Sequence, residues 1–480
     1  MKYNFEFEHV LFVLNCSLFQ CIIKTLKYEK ISIEIMKVVV VGNNVAGTFT
    51  AQNIRFLNDE VDIEIFTQER YPYYSRVKLP EVISGKVQAN DLIVFKDDWY
   101  KEKNIKLNLN KRVIKIESQQ KKIHIEGESK SVAYDKLILA LGSVPNIPPI
   151  KNAREMVGKG VFTLRTIEDT IDIKNYIEKT KAKKAIIIGG GLLGLELASQ
   201  IKDSNLETTV VEFFPKLLPR QLDDECSFML KDEIENKDIK VVLNAATEEI
   251  LGNGYVTGIK LKDGQKIEAD IILIQAGIRA TIDLAQNSGI ETNRGIVVDE
   301  FLETSEKNIF AVGDCVEYKN QTWGIIPACM EQSKIVAASA LGLRKIEYKG
   351  TTPKNTLKIV GLELTSIGIF DPSQEVGGGW DILKKADKKD CCYQKLVIKD
   401  NKLKGAILFG DNQAMSFVYK KMEQDVTKRE LMEILELYLY KCSNCGAEYD
   451  ETKMEILFEN LPEDWKCPNC KHLKEGFEKI

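Results

Sequence analysis

Twice in this chain a run of β-branched residues breaks into glycines and then resumes with helical spacing, and that pattern restricts the fold more than any other feature. The first copy is Val38-Val39-Val40-Val41, then Gly42-Asn43-Asn44-Val45-Ala46-Gly47, then a helical stretch through Arg55. The second is Ala185-Ile186-Ile187-Ile188, then Gly189-Gly190-Gly191-Leu192-Leu193-Gly194, then Leu195-Glu196-Leu197-Ala198. In such a turn the first glycine permits the tight reversal, the second lets backbone approach a pyrophosphate, and the third lets helix pack closely on strand. Gly189, Gly191 and Gly194 fill all three places. Gly42 and Gly47 fill the first and third, and Asn44 stands at the second, where its tolerance of left-handed dihedrals predicts that the site survives.

Each copy leads to a second strand that ends near a carboxylate. Val61 to Phe66 leads to Glu69, and Thr208 to Val211 leads to Glu212. A carboxylate at that place accepts hydrogen bonds from ribose hydroxyls and repels a 2′-phosphate, so Glu212 favours NADH over NADPH. Lys216 and Arg220 follow closely in sequence and would oppose that preference by reaching a phosphate. Two more strands run into glycine turns: Tyr134 to Gly142, and Asn308 to Gly313 with Asp314 at its end.

The chain's last residues carry a different chemistry. Cys442-Ser443-Asn444-Cys445 and Cys467-Pro468-Asn469-Cys470 are two C-x-x-C pairs, clustered rather than dispersed as a disulfide framework would be. Four thiolates so placed converge tetrahedrally on iron or zinc, and backbone amides in each knuckle tune the metal through the sulfurs. A zinc ribbon uses the same pairs. Tyr449, Phe458 and Leu461-Pro462-Glu463-Asp464-Trp465 between them favour the iron reading, in which Cys442, Cys445, Cys467 and Cys470 hold one iron. Lys471 follows the last cysteine, where glycine is common; a left-handed dihedral there costs about 1–2 kcal/mol.

Length and composition bound the rest. At 480 residues the chain is too long for one core. A net charge of −4 offers no surplus for phosphate backbones, so nucleic acid is not an expected partner. The longest apolar stretch, Val10 to Ile23, is interrupted by Asn15, Ser17 and Gln20 and is too short to span a bilayer, so no membrane association and a cytoplasmic location are expected. Met36 reads as the natural start, with 1–35 an extension from a mis-assigned upstream codon.

The glycine turns, with Tyr74-Ser75-Arg76, Arg165-Thr166-Ile167-Glu168-Asp169 and Leu217 to Asp223, resemble the pyridine nucleotide-disulfide oxidoreductase superfamily. Within it the chain is most similar to NADH:rubredoxin oxidoreductases and to the flavoprotein part of nitrite reductases. The cysteine-rich end resembles rubredoxin. The resemblance implies an α/β fold with two Rossmann-like dinucleotide-binding domains, a small α+β interface domain and a C-terminal rubredoxin-like metal domain. The expected division is 36–155 with 275–345 for FAD, 156–274 for NAD(P)H, 346–420 for the interface domain, 421–438 for a helical connector and 439–480 for the metal domain. It further implies that Gly42, Asn44, Gly47, Glu69, Gly142 and Asp314 serve FAD, and that Gly189, Gly191, Gly194, Glu212 and Gly277 belong to the cofactor sites. Glu196 and Arg76 are the candidate catalytic residues, and Pro327 to Gln332 would line the flavin ring.

Disulfide reductases of this superfamily place a cysteine pair after the first ribose carboxylate, and related oxidases a single one. Residues 70–90 contain none, so no thiol relay stands beside the flavin. His124 alternates with apolar residues and reads as structural, and Cys226, Cys315 and Cys329 as packing residues. The implied reaction takes hydride from NADH to FAD and passes single electrons to the fused iron centre and on to a downstream acceptor protein, of diiron or flavodiiron type in related reductases. The connector, apolar at Met422, Val426, Leu431, Ile434 and Leu435, would act as a tether that keeps the iron module at high local concentration. The alternatives are an electron-supplying flavoprotein of a nitrite reductase system and a zinc-ribbon sensor or scaffold.

Overall fold

The computed structural model describes residues 36–480 apart from 344–345, 360, 376, 388–389 and 455, with backbone only for 355–359 and 374. The extension expected at 1–35 lies outside the described residues.

Both apolar runs are central strands of parallel five-stranded sheets. In one, Lys37–Val41 lies between Asp62–Phe66 and Lys136–Leu139, with Ile105–Asn108 and Ile309–Ala311 at the edges. In the other, Lys184–Ile188 lies between Glu207–Val211 and Ile271–Ile274, with Ile239–Val242 and Val161–Phe162 outside. Strands covered on both faces need unbroken apolar sequence, which is why Val38 to Val41 and Ala185 to Ile188 are almost wholly buried. Each glycine turn delivers the chain into a helix, Val45–Leu57 and Leu192–Asp203.

The chain forms two compact units. One holds the described residues up to Tyr73, Phe95–Gly142 and Ala280–Lys349. The other holds Tyr74–Val94, Ser143–Arg279 and Gly350–Ile480. Tyr74–Val94, which the sequence reading grouped with the FAD half, thus belongs with the second parallel sheet. Ser84 Oγ donates to Gln200 Oε1 at 2.7 Å, and Lys86 Nζ lies 2.6 Å from Asp203 Oδ2, joining the short helix Leu79–Ile83 and the turn after it to Leu192–Asp203.

Residues 354–409 build an antiparallel five-stranded sheet, ordered Lys354–Ile359, Leu362–Gly368, Lys402–Phe409, Cys392–Lys399, Trp380–Asp387. It is fastened to the second parallel sheet's layer through Asp223. That carboxylate caps the helix Asp224–Glu235 through Cys226 N at 3.1 Å and accepts from Tyr393 OH at 2.6 Å and Lys395 Nζ at 2.7 Å. Buried charge is tolerable there because each oxygen of Asp223 has a donor.

The connector differs from the single helix expected. Helix Met415–Lys421 ends before Met422, and a second helix, Lys428–Leu435, starts at a Thr427/Glu430 capping box and ends at left-handed Glu436. Val426, Leu431 and Leu435 are buried in the antiparallel sheet's own core, so the segment is a packed part of that layer and not a loose tether. Apolar spacing alone does not distinguish a helix that binds two modules from one that completes a core. The chain ends in a small three-stranded sheet, Glu448–Asp450, Leu439–Cys442, Phe477–Lys479, around Tyr440, Tyr449, Phe458 and Leu461. Among the described residues no helix is long and apolar enough to cross a membrane.

Candidate cofactor sites and metal centre

The two glycine turns have the same construction. Gly42 and Gly189 sit at φ +114° and +117°, and a Cβ would fall 2.1 Å from Ala140 O and 2.4 Å from Gln275 O. Gly47 and Gly194 let the helix close on its strand: a Cβ would fall 2.0 Å from Gly42 O and 2.1 Å from Gly189 O. The middle position is different. Gly191 has φ −82° and open space where a Cβ would be. Asn44 has φ −120°, so the left-handed conformation expected of it is not used; its Oδ1 instead accepts from Val45 N at 2.9 Å as the helix cap. A middle glycine thus supplies room for a ligand and no special dihedral, which is why asparagine fits without strain.

The first turn fits a dinucleotide on its own chemistry. Asn43 is buried and Oδ1 accepts from Thr48 Oγ1 (3.0 Å) and Tyr100 OH (3.1 Å), but Nδ2 has no acceptor among the described residues. An unsatisfied buried amide costs about 1–3 kcal/mol, and a ligand oxygen would satisfy it. Sequence reading passed over Asn43 because it lies between the motif's glycine positions. Glu69 follows the strand Asp62–Phe66, half-buried, its main chain tied to Asn110 N at 3.1 Å. Gly142 turns at φ +69° with its carbonyl held by Thr281 N. Asp314 follows Gly313, whose N–H donates to the buried Gln332 Oε1 at 2.7 Å, and Cys329 Sγ lies 3.8 Å from Asp314 Oδ1. Gln332 and Cys329 come from the helix Ile326–Ala340 that the sequence reading set along the flavin ring. Cys315 is fully buried, which pushes its thiol up to about 11 and leaves it inert.

In the second turn Glu212 is buried, with Oε2 accepting from Gly190 N and Oε1 from Phe214 N at 2.9 Å. The carboxylate is fixed beside the glycines before any ribose arrives. Lys216, a possible phosphate ligand from sequence, is instead paired with Asp224 at 2.8 Å. Gly277 turns at φ +86°, its carbonyl held by Asn146 N at 2.9 Å. Arg76 lies in the same unit, Nη1 donating to Arg165 O at 3.1 Å with its guanidinium over the Tyr74 ring.

Glu196 stands one turn into the helix Leu192–Asp203. Burial, with Glu81 nearby, pushes its carboxyl up to about 7. Glu81 was not singled out from sequence, because nothing local links residues so far apart. An unfolded glutamate releases its proton near 4.5, whereas the folded one keeps it to about 7, so stability falls as pH rises through that window. Glu196→Gln should therefore match the wild type at pH 4, below the unfolded value, and melt higher at pH 8, by up to about 3 kcal/mol of stability. Paired melts of the FAD-loaded proteins at the two pH values check it; a constant difference would refute it.

The four C-terminal cysteines form a single cluster. Their sulfurs all lie within 4.8 Å of one another, with Cys442–Cys470 and Cys445–Cys467 at 3.7 Å. Ligands at about 2.3 Å around a tetrahedral ion are about 3.8 Å apart, so the two 3.7 Å pairs have the spacing that iron or zinc would require. The two knuckles repeat each other: Gly446 N donates to Cys442 O and Lys471 N to Cys467 O, while Cys442 N donates to Ala447 O and Cys467 N to His472 O. The left-handed corner falls on Gly446 (φ +74°) in one and on Lys471 (φ +62°) in the other, so the strain foreseen at Lys471 is present. The Asn444 side chain hydrogen-bonds Cys470 and lowers its thiol, while the crowding of the other sulfurs raises Cys445, so the four thiols share protons that a metal ion would displace.

Two dinucleotide turns and a four-thiolate cage in one chain define a nucleotide-linked electron-transfer protein. Residues 36–333 match the pyridine nucleotide-disulphide oxidoreductase family, 353–426 the rubredoxin NAD+ reductase C-terminal domain and 439–477 rubredoxin. The chain is 36% identical to a nitrite reductase [NAD(P)H] of Bacillus subtilis, over 83% of this chain and 49% of that one. It is 29% identical to an NADH-rubredoxin oxidoreductase of Clostridium acetobutylicum, over 78% and 91%. The solved NADH:rubredoxin oxidoreductase of Clostridium acetobutylicum superposes with a TM-score of 0.64 at 26% identity, covering 82% of this chain and 96% of that one. The chain spans about half the length of the first curated relatives it matches. It belongs to the pyridine nucleotide-disulphide oxidoreductase family, with a rubredoxin domain in the same polypeptide. The cofactors of this arrangement are FAD, NADH and one iron in the four-cysteine site.

Proposed function

We propose that the chain is an NADH-dependent rubredoxin-type oxidoreductase: FAD held at the first glycine turn would supply hydride acceptance from NADH, and iron held by Cys442, Cys445, Cys467 and Cys470 would supply one-electron transfer to an external acceptor protein. The observation that carries this reading is the preformed four-sulfur cage in the same polypeptide as two dinucleotide turns. The chain's own residues bind and orient. Gly42, Asn43, Asn44 and Gly47 shape one pyrophosphate cradle, with Glu69, Gly142 and Asp314 on its cofactor; Gly189, Gly191, Gly194 and Gly277 shape the other. Glu212 selects a free 2′-hydroxyl and so NADH. Glu196, protonated for much of its population at neutral pH, is a neutral donor at the head of its helix, and Arg76 supplies a fixed cation.

The acceptor in this reading is a diiron or flavodiiron protein. A relative in Vibrio vulnificus, 27% identical over 68% of this chain, is named as a nitric oxide reductase FlRd-NAD(+) reductase, which supports that class. Among the described residues none of the nine cysteines is in a disulfide, which suits a reducing cytoplasm. The nitrite reductase relatives favour a second reading, in which the chain feeds electrons to a nitrite-reducing centre.

Loading the metal site with zinc instead of iron tests the main reading. The fold survives, since both ions suit four thiolates. NADH should still bleach the flavin, and reduction of a one-electron acceptor protein should fall at least about a hundredfold. Equal acceptor reduction by the zinc and iron forms would show that electrons leave from the flavin.

A further inference from the structure

Among the described residues two side chains carry a buried amide nitrogen with no acceptor, Asn43 and Gln275. Each stands at one of the two glycine turns. Asn43 lies inside the first turn, and Gln275 packs against the second. We propose that the Gln275 amide is a ligand-binding donor that serves the nicotinamide-ribose half of NADH. The proposal rests on the NADH reading above and adds one residue to that site.

Topology places the residue on one particular side of the turn. Gln275 directly follows the strand Ile271–Ile274, which pairs with the central strand Lys184–Ile188 on the side opposite Glu207–Val211. Its carbonyl is the oxygen that a Cβ on Gly189 would meet at 2.4 Å, and its own Cβ lies 3.6 Å from where a Cβ on Gly194 would fall. The side chain thus stands against the third glycine, at the carboxyl ends of the strands, where open parallel sheets take their ligands. Glu212, the ribose carboxylate, follows the strand on the other side of the turn. A dinucleotide with its pyrophosphate on Gly189 to Gly194 and its adenosine ribose on Glu212 must carry its nicotinamide ribose toward Gln275.

The local structure does not need this amide. Gln275 N donates to Ile188 O at 2.8 Å, Asn146 N to Gly277 O at 2.9 Å and Asn146 Nδ2 to Ala276 O at 3.2 Å, so the turn is held by its main chain. A buried N–H without an acceptor opposes folding, and a methionine of similar shape would fill the space without that cost. The residue as a whole is half-buried, so its amide lies just beneath the surface. Glutamine's terminal torsion is broad, and rotation about it turns the N–H outward to a ribose hydroxyl or carboxamide oxygen. Binding then relieves an unmet donor as well as forming a hydrogen bond.

The test uses the full-length, oxidised, iron- and FAD-loaded protein and titration calorimetry with two probes. NAD+ carries the nicotinamide ribose and has no hydride to give; ADP carries only the adenosine half with its phosphates. Gln275→Met should weaken NAD+ about tenfold, leave ADP unchanged, and raise the melting temperature of the nucleotide-free protein by about 2–4 °C. Those opposite signs separate a ligand donor from a structural residue. Gln275→Ala removes the same N–H and should weaken NAD+ to a similar extent, which serves if methionine packs poorly. Wild-type affinity for NAD+ in both variants would show the amide to be satisfied by water alone and would overturn the proposal. Equal weakening of NAD+ and ADP would overturn its placement at the nicotinamide ribose. Both outcomes leave the NADH reading intact, whereas a wild-type protein that binds neither probe would overturn that reading and the proposal together.

Discussion

Replacing Cys442 by serine is expected to abolish electron delivery to one-electron acceptors, by at least about a hundredfold, while NADH still bleaches the flavin. Cys442 is the most buried ligand but one, with Cys467, and serine offers a hard, shorter and poorly ionised oxygen where a soft thiolate is required. The consequence reaches past the metal. The module's own core is four buried side chains, Tyr440, Tyr449, Phe458 and Leu461, with Trp465 and Phe477 against them. A core of that size rarely holds a fold without a staple, so metal binding supplies much of the folding free energy. Limited proteolysis of Cys442→Ser should therefore cut within 439–480 while the rest of the chain stays intact. Retained acceptor reduction would place the exit for electrons at the flavin and remove the iron from the path.

The second large effect is expected at Gly42. A Cβ there meets Ala140 O at 2.1 Å, a backbone atom just past the central strand Lys136–Leu139 that pairs with Lys37–Val41. No side chain can move aside, and φ +114° is closed to alanine on its own account. A strain of about 3 kcal/mol is the least to expect, equal to roughly a hundredfold in FAD affinity if the turn distorts to relieve it. Gly42→Ala should accordingly purify with little flavin, read as the ratio of visible to ultraviolet absorbance. Gly191→Ala is the contrast: at φ −82° with open space it should leave the melting temperature unchanged and raise KM for NADH. Were Gly191→Ala to unfold the protein and Gly42→Ala to bind FAD normally, the assignment of roles within the turns would be wrong.

The parts legible from sequence were those written in short-range pattern. An unbroken apolar run such as Val38 to Val41 identifies a strand buried on both faces, and a C-x-x-C knuckle is complete within five residues. What failed to show was set by the backbone or by distant partners. Asn44 was expected to use a left-handed dihedral; its actual φ follows from the helix it caps, and composition does not encode that. The connector's spacing was compatible with a tether, and only the sheet beneath it makes Val426, Leu431 and Leu435 core residues. The resemblance places 346–420 in a small α+β interface domain without its individual strands, and within them Lys384, Lys395 and Lys404 are paired with carboxylates distant or outside the strand. Asp223 meets Lys395 across 172 residues, and Glu81 influences Glu196 across more than a hundred; neither relation leaves a local mark.

The most direct test of the central claim is to mix the FAD- and iron-loaded protein anaerobically with NADH and to follow the flavin and iron bands together by stopped flow. Bleaching of flavin followed by iron, at a rate independent of protein concentration, is the result the account predicts. An iron band that stays oxidised after the flavin is reduced, or that bleaches faster as protein concentration rises, would contradict an electron path within one chain.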